Sequence, residues 1–155
     1  MVQWWEGDDV SWEGVVGDYS STGRAGDPCE HWIAAVDGRE VGWIQLWDVQ
    51  TEPEEVAPWW ALGVDRTAGG IDYLIGDPGE RGRGVGTAML RAFVLDAFDR
   101  HPEYTQIGAA PYAANRASWR ALERAGFRLL GEVPDKEGTG RLMVRSRARA
   151  GARRG

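Results

Sequence analysis

The chain has 155 residues, 43% of them apolar and 27% charged, with a formal net charge of −6. This length suits one domain with one hydrophobic core, no apolar run approaches the roughly 20 residues of a membrane span, and the net acidity argues against nucleic acid, whose binding relies on Lys and Arg neutralising phosphates. A single cysteine, Cys29, leaves no internal disulfide, and the N-terminus shows no basic segment followed by an apolar one, so a cytoplasmic protein is expected, as a monomer or a homodimer.

Acidic residues dominate the chain before Asp77, whereas arginines gather later, at Arg81 and Arg83 and again from Arg145 to Arg154. His31 to Val36 and Val41 to Trp47 read as the strands of a hairpin joined at Asp37-Gly38, a pair that tolerates positive φ. Asp48 to Gly70 shows no clear period. Its Pro53, Glu54, Glu55, Pro58, Trp59 and Trp60 predict a long loop rich in acid and tryptophan. Gly70 to Ile75 reads as a strand that ends at Gly76-Asp77-Pro78-Gly79. Met89, Leu90, Phe93, Val94, Ala97 and Phe98 then recur at the spacing of a helix over Gly86 to Phe98. Tyr104 to Ala109 predicts a short strand. Asn115 predicts the cap of a helix through Trp119, Leu122 and Ala125, which Gly126 stops. Phe127 to Val133 and Arg141 to Arg145 predict closing strands around a turn at 135–140. Residues 1–145 thus read as a single domain, and 146–155 as a basic tail without an apolar face, expected to be disordered.

The chemistry concentrates at the junction between the Gly70 strand and the helix after it. Arg81-Gly82-Arg83-Gly84-Val85-Gly86-Thr87 puts small residues where a helix begins. The first backbone N–H groups of a helix have no internal partner and its dipole favours negative charge, so a phosphate is the natural guest. The pattern lacks the Gly-Lys-Ser/Thr of a nucleotide P-loop and the acidic residue of a dinucleotide fingerprint. From the residues alone, a tight turn without a ligand is an equal alternative. Asp72 reads either as a base facing a ligand or as a strand aspartate bonded to local backbone. Each tryptophan reads either as core or as a contact for a sugar ring.

The turn resembles the Arg/Gln-x-x-Gly-x-Gly/Ala signature of the GCN5-related N-acetyltransferases, with Arg81, Gly84 and Gly86 at the defining positions. Downstream, Asn115-Arg116-Ala117-Ser118 leading into Glu123-Arg124-Ala125-Gly126-Phe127 resembles the second signature of that family. The resemblance implies an α/β fold, with a mixed central sheet whose splayed strands are flanked by helices. Because the likeness begins after the family's usual first strand and helix, the chain is expected to lack them. It also implies acetyl-CoA as cosubstrate and no metal. The pyrophosphate would lie on Arg81, Gly82, Arg83, Gly84, Val85, Gly86 and Thr87, the pantetheine arm along Leu74 and Ile75, and Asn115 would contact the cofactor.

Within the family the chain is most similar to the aminoglycoside 6′-N-acetyltransferases. Val2-Gln3-Trp4-Trp5, Trp32-Ile33-Ala34, Gly38-Arg39-Glu40-Val41-Gly42 with Gln45, Trp59-Trp60 and Gly70-Ile71-Asp72 carry that likeness in order. It implies a small cationic amine as acyl acceptor, Asp72 as the base, and an acidic pocket lined by Trp4, Trp5, Glu54, Glu55 and Trp60. An amine must be captured as a cation, lose a proton and attack a thioester, and a carboxylate serves the first two steps. Two positions depart from the pattern. Ala110 stands where the subgroup carries an acid before proline, with Glu54 or Glu55 as replacement, and Leu122 stands where many members carry the tyrosine that protonates the leaving thiolate. Transfer to a siderophore hydroxylamine or a polyamine, and a domain that binds CoA or an aminoglycoside without transfer, are the alternative readings.

Overall fold

Strand pairing organises the chain from Cys29 onward. The computed structural model describes residues 29–36, 39–75, 84–136 and 138–148. Trp4, Trp5, Arg81, Gly82 and Arg83 lie outside the described residues, as does the segment on which the expectation of a missing first strand and helix rests.

Six strands form one mixed sheet in the order β1-β2-β3-β4-β6-β5. They are β1 (Cys29–Val36), β2 (Arg39–Asp48), β3 (Gly69–Ile75), β4 (Gln106–Ala109), β5 (Arg128–Asp135) and β6 (Gly138–Ser146). The helices are α1 (Pro53–Ala61), α2 (Val85–Arg100) and α3 (Arg116–Arg124). The predicted hairpin forms as β1 against β2, antiparallel, and β3 follows antiparallel to β2 with Asp72 opposite Gln45.

Alternation along the strands divides the core into two layers, because successive side chains point to opposite faces. Ile44, Leu46, Ile71, Ile107 and Met143 face α2 and α3, where Leu90, Val94, Ala97, Phe98 and Leu122 are buried. Trp47, Leu142 and Val144 face the other way and pack with Val56 and Trp59 of α1.

The joint between β3 and β4 positions the site. These strands run parallel and pair only at Gly69 with Ile107 and Gly70 with Gly108. Beyond Gly70, β3 continues to Ile75 while β4 ends at Ala109, so the sheet splits open where the splayed strand is expected.

Two expectations change. The segment 48–70 is not a continuous loop, since a 3-10 turn (Val49–Thr51) and α1 occupy it. Proline at the first helical position forfeits no helical hydrogen bond, and Glu54 and Glu55 complement the dipole of the first turn. Val56 and Trp59, one turn apart, are buried; the prolines and acids that read as loop are therefore helix-start signals. Nor does the chain come loose at Ser146, which closes β6. The Arg147 guanidinium donates to the carbonyls of Phe98 at 2.8 Å and His101 at 2.7 Å, capping the end of α2, and to that of Tyr104 at 2.9 Å just beyond it. Residues 149–155 lie outside the described ones.

Candidate active site

The last rung of the β3–β4 ladder is a pair of glycines, and each carries an indole. A Cβ at Gly70 would lie 2.5 Å from the Trp47 ring, and one at Gly108 2.9 Å from the Trp59 ring. Side chains at these positions would expel both tryptophans. With glycine there, the rings lie 5.6 Å apart at 50° and form an aromatic wall. Trp47 then reaches past Gly70, and its Nε1 donates to Asp72 Oδ2 at 3.0 Å. Gln45 Nε2 donates to the same oxygen at 3.3 Å, which leaves Oδ1 for a ligand.

Asp72 stands at the mouth of the split. Its side chain is exposed on the side of the cleft while protein packs around the rest of the carboxyl. Desolvation raises its carboxyl from the usual 3.8 to about 6. The charges of Glu55 and Asp135 push in the same direction, and the Trp47 hydrogen bond opposes them.

Around it opens a cleft of about 330 Å³ bounded by the ends of β3 and β4, α1, the start of α3 and the β5–β6 turn. Glu55, Asp72 and Asp135 bring three carboxylates to it, and Trp47, Trp59 and Tyr112 bring aromatic surface. Asn115 lines it while its side chain accepts the Ser118 N–H at 3.2 Å, the predicted cap of α3. Tyr73, next along β3, ties the strand to α3 by hydrogen bonds to the Ser118 hydroxyl and, at 3.3 Å, the Ser118 carbonyl. Burial pushes its phenol up to about 12, so the hydroxyl keeps its proton throughout the neutral range.

Helix α2 begins at Gly84, whose φ of 79° lies in the left-handed region that glycine adopts without penalty. The first helical hydrogen bond is Ala88 N–H to the Gly84 carbonyl at 3.0 Å. The N–H groups of Val85, Gly86 and Thr87 therefore have no helical acceptor, and a Cβ at Gly84 would meet nothing within 4 Å. Backbone donors without a helical acceptor at a helix start suit a pyrophosphate.

Residues 1–134 match the acetyltransferase (GNAT) domain family. The chain belongs to the GNAT acetyltransferase family. It is 30% identical over 149 residues to the aminoglycoside N(6')-acetyltransferase type 1 of Klebsiella pneumoniae, covering 95% of this chain and 72% of that protein. It is 35% identical over 89 residues to a kanamycin resistance protein of Rhizobium radiobacter, covering 57% of this chain and 82% of that protein. Among solved structures, the aminoglycoside acetyltransferase AAC(6')-Ib in complex with coenzyme A and kanamycin is similar with a TM-score of 0.77 and 29% identity, over 94% of this chain and 81% of that one.

In this GNAT acetyltransferase the expected residues divide by position. Glu55 lines the cleft, whereas Glu54 is exposed in the first turn of α1 away from the lining. Of the tryptophan pair, Trp59 faces the cleft. Trp60 is not among the lining residues and packs under the Arg66 guanidinium, 4.3 Å from its ring. Leu74 is half-buried on β3, and Ile75 ends the strand opposite Gly42. Leu122 is fully buried in the core. Sequence reasoning did not single out Trp47 or Asp135. The signal for Trp47 was its placement two residues after Gln45, on the same strand face and next to Gly70 across the pair. No local signal marks Asp135, because only the β5–β6 hairpin carries it to the cleft. Among the described residues, no helix is long and apolar enough to cross a membrane.

Proposed function

We propose that this acetyltransferase moves the acetyl group of acetyl-CoA to the 6′-amine of an aminoglycoside. The observation that carries the reading is Asp72, with one oxygen held by Trp47 and Gln45 and the other turned to an acidic, aromatic cleft beside the split sheet. The names of the relatives above support the same donor and acceptor.

Acetyl-CoA supplies an activated thioester, and the chain supplies position and a base. The N–H groups of Val85, Gly86 and Thr87 hold the pyrophosphate with the preceding residues Arg81, Gly82 and Arg83. The edge at Leu74 and Ile75, unpaired with β4, takes the pantetheine arm. Asp72 draws the ammonium of the acceptor to the mouth of the split. With its carboxyl near 6 it is ionised at neutral pH, removes a proton through Oδ1, and frees the nitrogen lone pair to attack the thioester carbonyl; the C–S bond breaks as the amide forms, and CoA leaves as a thiolate that takes its proton from solvent. Trp47 and Trp59 offer indole faces to the sugar rings, as do Trp4 and Trp5 in this reading.

The test is thiol release from acetyl-CoA with kanamycin or tobramycin against amino-terminal peptides. Turnover on the aminoglycosides with none on peptides is expected, and the reverse pattern rejects the acceptor. The burial of Leu122 favours a second reading, binding without transfer, since no hydroxyl stands at that position. Calorimetric binding of kanamycin with no thiol released would establish it.

A further inference from the structure

We propose that the Tyr73 hydroxyl, positioned by that of Ser118, donates a hydrogen bond to the sulfur of CoA as the thiolate leaves. The inference rests on acetyl transfer from CoA, which every amine acceptor requires, and not on the aminoglycoside. Tyr73 follows Asp72 on β3, so the two side chains leave opposite faces of the sheet. Asp72 points with Trp47 to the layer of α1, and Tyr73 packs into the layer of α2 and α3. Both nevertheless line one cleft, because β3 beyond Gly70 has no β4 partner and the split joins the two faces. An acceptor held by Asp72 therefore meets, through the split, a donor that approaches from the face on which α2 lies. Tyr73 carries the hydroxyl of β3 on that face.

Ser118 lines the same cleft from the first turn of α3. Its hydroxyl is hydrogen-bonded to that of Tyr73, and its carbonyl accepts from Tyr73 at 3.3 Å. Two hydroxyls carry two hydrogens, and the bond between them uses one. When Ser118 donates that bond, the Tyr73 hydrogen is left to the carbonyl, at a distance beyond the usual O–H···O length. A thiolate offers it a charged acceptor instead. Burial pushes the phenol up to about 12, whereas an ordinary thiol ionises at about 8.5, so Tyr73 keeps its proton. The C–S bond breaks with its electron pair on sulfur, the Tyr73 O–H bond stays intact, and solvent protonates the thiolate. Tyr73 thus stabilises the leaving group, and Ser118 is a positioning residue.

The experiment titrates the thiol of CoA bound to wild type, Tyr73→Phe and Ser118→Ala, using CoA isotope-labelled at the carbon that bears sulfur and NMR as the readout. Steady-state thiol release with acetyl-CoA and kanamycin is measured alongside. Phenylalanine keeps the ring and removes only the hydroxyl. A hydrogen bond to a charged group is stronger than one to a neutral group, so Tyr73→Phe is expected to lower the acid dissociation constant of the bound thiol about tenfold, and kcat by about the same factor, with the KM for acetyl-CoA within about twofold. Ser118→Ala, which leaves the Tyr73 hydrogen to the carbonyl, is expected to lower both by about threefold, and Ser118→Thr to restore them. A bond that only ties β3 to α3 would change stability and KM and leave the ionisation of the bound thiol as in wild type. That result, or a kcat equal to wild type in Tyr73→Phe, overturns the inference. If Tyr73→Phe does not fold, the same titration of Ser118→Ala decides it. The titration needs CoA alone, so absence of turnover on kanamycin rejects the aminoglycoside while the bound thiol still tests Tyr73.

Discussion

Replacing Asp72 with asparagine tests the chemistry most directly, because the side chain keeps its shape and still accepts the bonds from Trp47 and Gln45. Losing the base should lower kcat/KM at least tenfold, or about 1.4 kcal/mol of barrier, a floor below the roughly 10²–10⁴ typical of a positioned general base. The pH dependence makes the test sharper. The base works only when ionised, so activity rises with pH through its carboxyl value of about 6. About ten-elevenths of the group is ionised at pH 7 and about one-eleventh at pH 5, a change of about tenfold; a carboxyl at 3.8 would change by less than about a tenth over the same range. Dividing wild-type kcat/KM by that of Asp72→Asn at each pH cancels the acceptor's own titration. That ratio, measured by thiol release with kanamycin, should fall about tenfold from pH 7 to pH 5. A constant ratio would refute the shift, and equal activity of the two proteins would remove Asp72 from the mechanism.

The same substitution should raise the melting temperature at pH 7.5. The charged form is disfavoured in the folded state, so the advantage of asparagine is present above about pH 6 and disappears as pH falls below 3.8; thermal scans at pH 3.5 and 7.5 check the sign. Glu55→Gln removes a like charge from the same cleft, and its acid limb should move to lower pH in the same kinetic assay. Gly70→Ala places a methyl group 2.5 Å from the Trp47 ring, displacing the indole from Asp72, and should lower kcat while leaving CoA affinity, read by calorimetry, within twofold. Gly84→Val forces a β-branched residue into φ of 79° where α2 begins and should raise the KM for acetyl-CoA first. Arg147→Ala deletes two charge-assisted bonds to the end of α2 and a third to the Tyr104 carbonyl beyond it and should cost about 2 kcal/mol in urea unfolding.

Local patterns in the chain were enough to determine the hairpin, the strand through Asp72, the helix after the glycine turn and the cap at Asn115, because each is specified by residues close in sequence. The expected donor site rests on residues close in sequence for the same reason. A helix start offers its N–H groups by backbone geometry, and the spacing of Arg81, Gly84 and Gly86 marks it. The acceptor side was not legible, because it is assembled from distant segments. Only register sets the Trp47 indole over Gly70 and its nitrogen against Asp72. Helix α1 was masked by prolines whose meaning depends on whether they stand at a helix start or in a loop, and burial of Val56 and Trp59 decides between the two. Only the β5–β6 hairpin brings Asp135 to the carboxylate of β3. A charge acts through space, so what the three acids of the cleft do to one another follows from the tertiary structure, whereas the expectation of Asp72 as the base came from the family resemblance carried by Gly70-Ile71-Asp72.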